Sequence, residues 1–197
     1  MIKYPKGQKK SFNQQANTQS TASRGVALED DINATNNYYL DLDLAVVHKK
    51  PIPIQVVDVH YPKRSMAEIT KAYYVTASTT DYNGVYKGRA LDFEAKQTNS
   101  KTSFPFSSIH QHQITHLEKV IKQNGIAFVI IRFSAYEETY YVCAKKLIPL
   151  YYAKRRSIPY TWFKENAHLI PFSLTPPVDY LKVIDQLYLK ESESNGE

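Results

Sequence analysis

The fold is decided by the stretch DYNGVYKGRALDFEAK, residues 81–96, which predicts a β-hairpin. Asn83-Gly84 is a strong two-residue turn signal, and Lys87-Gly88 predicts a bulge after it. Successive side chains of a strand point to opposite faces, so residues 89–96 divide into an apolar face and a polar face. The apolar face carries Leu91, Phe93 and Ala95, and the polar face carries Asp92, Glu94 and Lys96.

The carboxylates of this hairpin predict a metal-dependent hydrolytic site. Asp81 precedes the turn and Glu94 lies on the returning strand. The two can therefore share one divalent cation, and Mg²⁺ prefers oxygen ligands of this kind. Lys96 lies on the same face as Glu94, where its ammonium can orient or deprotonate a water and stabilise charge on a phosphate. The same pattern also arises by chance on a solvated strand face, so alone it indicates only a candidate nuclease.

The segments on either side of the hairpin predict an α/β fold with a small mixed sheet covered by helices. Pro51 and Pro53 predict that residues 51–77 form a protrusion outside the main core, with a short helical turn at Met66–Ala72. The other predicted elements are a helix over 26–40, a strand at 44–48, a helix from Ser107 or Ser108 to Gln123 ending at Gly125, strands at 126–133 and from Tyr140, and a helix over 178–190.

The two ends of the chain predict no packed structure. Residues 1–23 are expected to be a flexible basic tail, residues 24–190 the folded domain, and residues 191–197 a disordered acidic tail. Residues 145–171 are mixed aromatic and basic and predict no clear element.

The composition narrows the class of protein. A formal charge of +6 and a pI near 9.2 favour a polyanionic partner such as nucleic acid. The single cysteine, Cys143, excludes an intramolecular disulfide, fits a reducing compartment and is expected in the core. No apolar stretch approaches the ~20 residues that span a bilayer, and no signal sequence is evident, so a cytoplasmic protein without membrane contact is expected.

Several segments, taken together and in order, resemble the RecU family of bacterial Holliday junction resolvases. They are STTDYNGVYKGR (78–89), DFEAK (92–96), RGVALE (24–29), HKKP (48–51), VHYP (59–62) and KTSFP (101–105), with weaker matches at 170–171 and 179–180. The resemblance implies a restriction-endonuclease-like fold, a homodimer and Mg²⁺ dependence, with Mn²⁺ expected to substitute. It also implies symmetrical paired nicking of four-way junction DNA, and it allows contact with the RecA recombinase and the branch-migration complex.

The resemblance also implies roles for individual residues. Thr79, Asp81, Glu94 and Gln113 correspond to the family's metal site, and Lys96 corresponds to its transition-state stabiliser. From the residues alone, Gln113 could instead be solvent-facing and Thr79 a capping residue. Residues 51–77 correspond to a stalk that engages the junction. The sequence departs from the family's pattern at Ala90, where a bulkier residue is expected, and over residues 145–170.

Basic and aromatic residues predict the DNA contacts, which are Arg24, Lys63, Arg64, Lys71 and Tyr74. The alternative is an ordinary surface ribbon whose tyrosines pack on their own segment. Glu29 is expected near the site, where it could contact metal-bound water or simply favour the helix dipole.

The histidines and the function of the whole chain each have an alternative interpretation. His112 and His116 are four apart, but the intervening residues lack the glutamate of a zinc protease motif, so a polar or DNA-facing helix face is favoured. The rival functions are a duplex-specific restriction-like endonuclease, and an inactive module that binds junctions or modulates RecA.

Overall fold

The computed structural model describes residues 28–63, 66–75 and 79–189. Within these ranges the elements in chain order are α1 (Leu28–Asp41), β1 (Val46–Lys49), β2 (Ile54–His60), β3 (Glu68–Tyr74), β4 (Tyr82–Tyr86), β5 (Arg89–Thr98), β6 (Ser103–Pro105), a 3-10 turn (Phe106–Ser108), α2 (Gln111–Lys122), β7 (Ile126–Phe133), β8 (Glu138–Cys143), α3 (Ala144–Tyr152), β9 (Ser157–Pro159), α4 (Tyr160–Asn166), β10 (His168–Ile170), α5 (Tyr180–Ile184) and a π-helical turn (Asp185–Leu189).

The main sheet has six strands in the order β1-β4-β5-β7-β8-β10. β5 and β7 run parallel, whereas the neighbouring pairs run antiparallel, so the sheet is mixed. Helices cover both faces, and the prediction of an α/β fold with a small mixed sheet flanked by helices is confirmed. The arrangement is that of a restriction-endonuclease-like core.

Two hydrophobic cores lie on opposite faces of this sheet. One joins the sheet to α1 and α5 through residues such as Leu28, Phe93 and Tyr180. The other joins it to α2, α3 and α4 through residues such as Leu117 and Phe163. β5 contributes its apolar side chains to the first core and turns its polar side chains toward the side of α2, as its alternation predicts.

The hairpin turns at Lys87-Gly88, and the prediction of a turn at Asn83-Gly84 is wrong. Lys87 and Gly88 have φ values of 45° and 72°, and a type I′ hairpin turn has a positive φ at both central residues. Asn83 and Gly84 lie inside β4, between β1 and β5. A Cβ added at Gly84 would stand 2.1 Å from the carbonyl oxygen of Val46. This glycine therefore allows close approach of two backbones instead of a turn.

β2 and β3 form a separate two-stranded ribbon, and the predicted helical turn at Met66–Ala72 is wrong because Glu68–Tyr74 is a strand. The β-branched and aromatic side chains of this segment favour a strand, and pairing with β2 decides the outcome. All of β2 and β3 is exposed except the half-buried Val59, so the ribbon contributes to neither core.

Other predicted boundaries need smaller corrections. The helix expected from Ser107 or Ser108 begins at Gln111, because the serines lie in or at the end of a 3-10 turn and His110 is the N-cap. At its other end Asn124, with φ of 60°, takes the left-handed position expected of Gly125. The last helix begins at Tyr180 instead of Val178, and residues 144–170 contain α3, β9, α4 and β10.

Some predictions fall on residues that the structure does not describe. The expected basic tail (1–23), the start of the helix at 26–27 and the acidic tail (191–197) lie outside the described residues. Among the helices that are described, none combines the length and apolar character needed to cross a membrane.

Candidate active site

Glu94 lies in the centre of the sheet, with its side chain fully buried on the α2 side of β5. The Nζ of Lys96 is 2.7 Å from its Oε1. Within the described part of the chain, neither carboxylate oxygen of Glu94 receives a hydrogen bond of normal geometry. A buried carboxylate that is not hydrogen-bonded is costly. Glu94 therefore needs a proton or a further cation.

Asp81 stands beside Glu94 at the start of β4. Burial raises the pKa of Glu94, the neighbouring Asp81 carboxyl adds to the rise, and Lys96 opposes it, which leaves the pKa at about 8. Two neighbouring carboxylates disfavour each other's charge unless a cation lies between them. The sequence-predicted trio of Asp81, Glu94 and Lys96 is thus brought together in one place.

The local sequence explains this geometry. Glu94 and Lys96 are two apart on β5, so they share a face, while Ala95 packs against the opposite core. Asp81 is fixed by its backbone, because its carbonyl accepts a hydrogen bond of 2.7 Å from the N–H of Lys50. β5 lies between β4 and β7, which makes it a rigid base for the side chains.

Thr79 and Gln113 occupy different settings. Thr79 is half-buried, and its hydroxyl donates to the carbonyl of Thr80 at 3.3 Å. Gln113 is buried, and its Oε1 accepts a hydrogen bond of 2.9 Å from the N–H of His110 at the start of α2. This oxygen keeps a second lone pair. The solvent-facing alternative for Gln113 is wrong, while its role as a metal ligand remains a prediction.

A second polar cluster on the same face of β5 was not predicted. The carboxylate of Asp92 forms hydrogen bonds with Lys50, Thr80 and His116. These residues come from three other segments of the chain. The alternation of β5 placed Asp92 beside Glu94, but the sequence holds no signal for its partners.

Histidines of α2 extend the site toward solvent. An open groove of about 650 Å³ is lined by His110, Gln111, His112, Thr115, His116 and Lys119. Burial lowers the pKa of His112, and the charges of His110 and Lys96 lower it further, whereas Asp81 opposes them. His112 is therefore close enough to Lys96 and Asp81 to respond to their charges. Among the described residues no group of three or more His, Cys, Asp or Glu is arranged to hold a metal, so a metal at Asp81 and Glu94 would need other oxygen ligands as well.

The predicted DNA contacts divide between the two sides of the ribbon. Lys71 Nζ stands 5.6 Å from the ring centroid of Tyr73, whereas the next residue, Tyr74, points to the other side and is 84% exposed. Lys63 is exposed just beyond the end of β2. Arg24 and Arg64 lie outside the described residues.

Glu29, predicted near the site, forms an ion pair with Lys49 in the first turn of α1 and is exposed. The pKa of the buried Tyr82 hydroxyl is raised by burial first and then by the charges of Glu29 and Asp81. Glu29 therefore acts electrostatically on Tyr82, while its own contact is with Lys49.

The comparisons with known proteins agree with one another. A family model described as recombination protein U matches residues 23–186. The chain is similar to the Holliday junction resolvase RecU of Oceanobacillus iheyensis, with 52% identity over 195 residues that cover 95% of this chain and all of the relative. It is also similar to the proteins of that name from Bacillus licheniformis (50% identity, 98% of this chain, 100% of the relative) and Bacillus subtilis (48% identity, 98% of each chain).

Proposed function

Because the chain belongs to the recombination protein U (RecU) family, we propose that it is a Holliday junction resolvase. It is a structure-specific endonuclease that cuts four-way DNA junctions during homologous recombination and DNA repair. Identity near 50% over almost the whole chain supports the activity. The observation that carries the location of the chemistry is the buried, unsatisfied carboxylate of Glu94 between Asp81 and Lys96.

The donor set fits a hard divalent cation. The carboxylate oxygens of Asp81 and Glu94 would hold Mg²⁺, with Mn²⁺ as a substitute. The further ligands proposed are Thr79 and the amide oxygen of Gln113, which has a free lone pair. The support is that the Glu94 oxygens are buried and lack hydrogen bonds. When bound, Mg²⁺ would withdraw charge from the scissile phosphate and lower the pKa of a water.

The residues of the chain then have separate tasks in hydrolysis. Lys96 is partly accessible, and its ammonium is held beside Glu94, where it can stabilise the charge that develops on the phosphate. Asp81 and Glu94 must both be ionised to hold the cation. A water attacks phosphorus in line with the 3′ oxygen and releases a proton to solvent, the bond between phosphorus and the 3′ oxygen breaks, and the leaving oxygen takes up a proton from solvent.

Paired nicks require two such sites. Each chain supplies one, so the proposal includes a homodimer with two-fold symmetry that matches the two opposed strands of a junction. The protein would act in the cytoplasm, where DNA is recombined. Contact with RecA and with the branch-migration complex is part of the proposal only as an extension of family membership.

The experiment is cleavage of a labelled synthetic four-way junction and a matched linear duplex, with Mg²⁺ or a chelator. The enzymes are the wild type, Asp81→Asn, and Asp41→Asn as a control at an exposed carboxylate on the end of α1. We expect Mg²⁺-dependent nicks in the junction from the wild type and the control, and binding without cleavage from Asp81→Asn.

The other outcomes identify the rival functions. Equal cleavage of the linear duplex would indicate a restriction-like endonuclease. Tight junction binding by the wild type without cleavage would indicate a binding or recombinase-modulating module. Cleavage retained by Asp81→Asn would exclude the proposed metal site.

A further inference from the structure

The carboxylate of Asp92 differs from that of Glu94, although both lie on the same face of β5. Asp92 is 7% exposed and both of its oxygens are hydrogen-bonded. Oδ1 accepts the hydroxyl of Thr80, and Oδ2 lies 3.0 Å from both Lys50 Nζ and His116 Nε2. Lys50 Nζ also donates to Thr80 Oγ1 at 3.1 Å, which closes the cluster.

The positions of these partners in the chain are informative. Lys50 directly follows β1 and is the last residue before the segment that carries the β2–β3 ribbon. Thr80 follows that segment and directly precedes Asp81. His116 lies on α2, one turn beyond His112. Asp92 thus joins the point where the chain leaves the main sheet, the point where it returns, and the helix that lines the site.

The backbone supports the same arrangement. The N–H of Lys50 donates to the carbonyl of Asp81 at 2.7 Å. The main chain of Asp81 is therefore attached to Lys50 on one side and, through Thr80, to Asp92 on the other. Both oxygens of Asp92 already accept hydrogen bonds within this cluster, so its contacts are with residues that surround the metal site. Buried charges that are fully paired hold one geometry, and losing one partner leaves the others uncompensated.

We propose that Asp92 is a positioning residue of the metal site, which holds the Thr80-Asp81 segment against β5 so that the Asp81 carboxylate faces Glu94. The inference rests on the proposed function. Residues that orient metal ligands in this way commonly change metal affinity or activity by about 10- to 100-fold when they are replaced.

The test measures four quantities, which are Mn²⁺ affinity by calorimetry on the protein alone, kcat and KM for junction cleavage, and junction affinity without metal. The variants are Asp92→Asn, His116→Leu and His116→Gln, in which the glutamine amide can replace the Nε2 donor. The control is Glu138→Gln on β8, because that carboxylate also accepts side-chain hydrogen bonds, from Tyr140 and Tyr160, but lies outside the site.

We expect Asp92→Asn to weaken Mn²⁺ binding and to lower kcat by about tenfold or more, with KM and metal-free junction affinity almost unchanged. His116→Leu should act in the same direction with a smaller change, and His116→Gln should restore wild-type values. Glu138→Gln should leave all four quantities unaltered. Only its melting temperature should be lower. If Asp92→Asn does not fold, the two His116 variants test the proposal. His116 is partly exposed, and its replacement leaves the ion pair between Lys50 and Asp92 intact.

Two results would overturn the proposal. The first result is that Asp92→Asn and His116→Leu bind Mn²⁺ as tightly as Glu138→Gln does and have an equal kcat. The other is a loss of metal-free junction binding as large as the loss of cleavage, which would make the cluster a DNA contact. A wild type that binds Mn²⁺ without cutting junctions would contradict the proposed function alone, and the Mn²⁺ affinities would still test Asp92. A wild type that does not bind Mn²⁺ would overturn both.

Discussion

The main sheet and the β2–β3 ribbon are both built from paired strands, but they differ in how far their side chains are buried. β7 is buried along its whole length except for the half-buried Arg132, whereas every residue of β3 is exposed. Side chains of the sheet are fixed by packing on both faces, so it can hold a buried carboxylate in place. The ribbon is held only by its backbone pairing, and a two-stranded ribbon of this kind is marginally stable in isolation.

This difference indicates how the two regions divide the work. The sheet should carry chemistry that depends on fixed distances, and replacements there should alter catalysis or folding. The ribbon presents charged and aromatic side chains on both sides at little cost to folding, so replacements there should alter binding. The following predictions test that division.

Among variants that keep both carboxylates of the site, the largest effect is expected from replacing Lys96. Lys96→Met should lower the cleavage rate at saturating Mg²⁺ by about 10²- to 10³-fold, because charge on the phosphate loses a preorganised partner. Lys87→Met is the control, since Lys87 is an exposed lysine at the turn of the same hairpin. Single-turnover cleavage of a labelled junction measures both. Equal rates for Lys96→Met and Lys87→Met would contradict the role of Lys96.

Gly84→Ala should destabilise the sheet by about 3 kcal/mol, because the added Cβ would overlap the backbone of β1. Gly88→Asn tests the turn instead, and it should cost less than about 1 kcal/mol because asparagine tolerates a positive φ and nothing lies near the site of the new Cβ. Urea unfolding of both variants gives the comparison. A smaller loss for Gly84→Ala than for Gly88→Asn would contradict the observed turn.

Tyr74→Ala should weaken junction binding by about tenfold, the range for losing one stacked base, while the free energy of unfolding changes by less than about 0.5 kcal/mol. Phe172→Ala removes a similarly exposed ring outside the ribbon and should leave affinity unchanged. Binding is measured by fluorescence anisotropy without metal. If Tyr74→Ala and Phe172→Ala lost the same affinity, the ribbon would have no special role in junction binding.

A pH-dependent difference in melting temperature is expected between metal-free wild type and Glu94→Gln. Burial raises the pKa of Glu94 from 4.5 to about 8. The folded state therefore holds the proton more tightly than the unfolded chain. The stability from this group is complete below pH 4.5 and is lost as the pH rises through about 8.

The wild type should accordingly lose melting temperature relative to Glu94→Gln as the pH increases across that window. Mg²⁺ added at the upper end should raise the melting temperature of the wild type more than that of the variant, because it binds the folded state. A difference that stays constant with pH would contradict the raised pKa.

The sequence predicted that Glu94 and Lys96 lie together because the two residues are close in the chain. The alternation of residues 89–96 is a property of one strand, and it places Glu94 and Lys96 on one face without reference to the rest of the chain. The turn was harder to predict because two glycines competed for it. Only the neighbouring β1 strand determines that Gly84 is needed for close approach and Gly88 for a positive φ.

Features that depend on distant contacts were not predictable. Asp92 is bonded to residues 42, 12 and 24 positions away, and no local pattern specifies those partners. Glu68–Tyr74 becomes a strand because β2 pairs with it. Residues 144–170 alternate short helices and strands whose apolar side chains pack into the second core, so their periodicity is too brief to read.

The most direct test of the site is single-turnover cleavage of a labelled four-way junction by the wild type and Glu94→Gln at saturating Mg²⁺, with junction affinity measured without metal. The wild type should make paired nicks, and Glu94→Gln should bind equally well but cut at least about 10³-fold more slowly, because it cannot hold the cation. Cleavage by Glu94→Gln within about tenfold of the wild-type rate would show that the buried carboxylate is not part of the metal site.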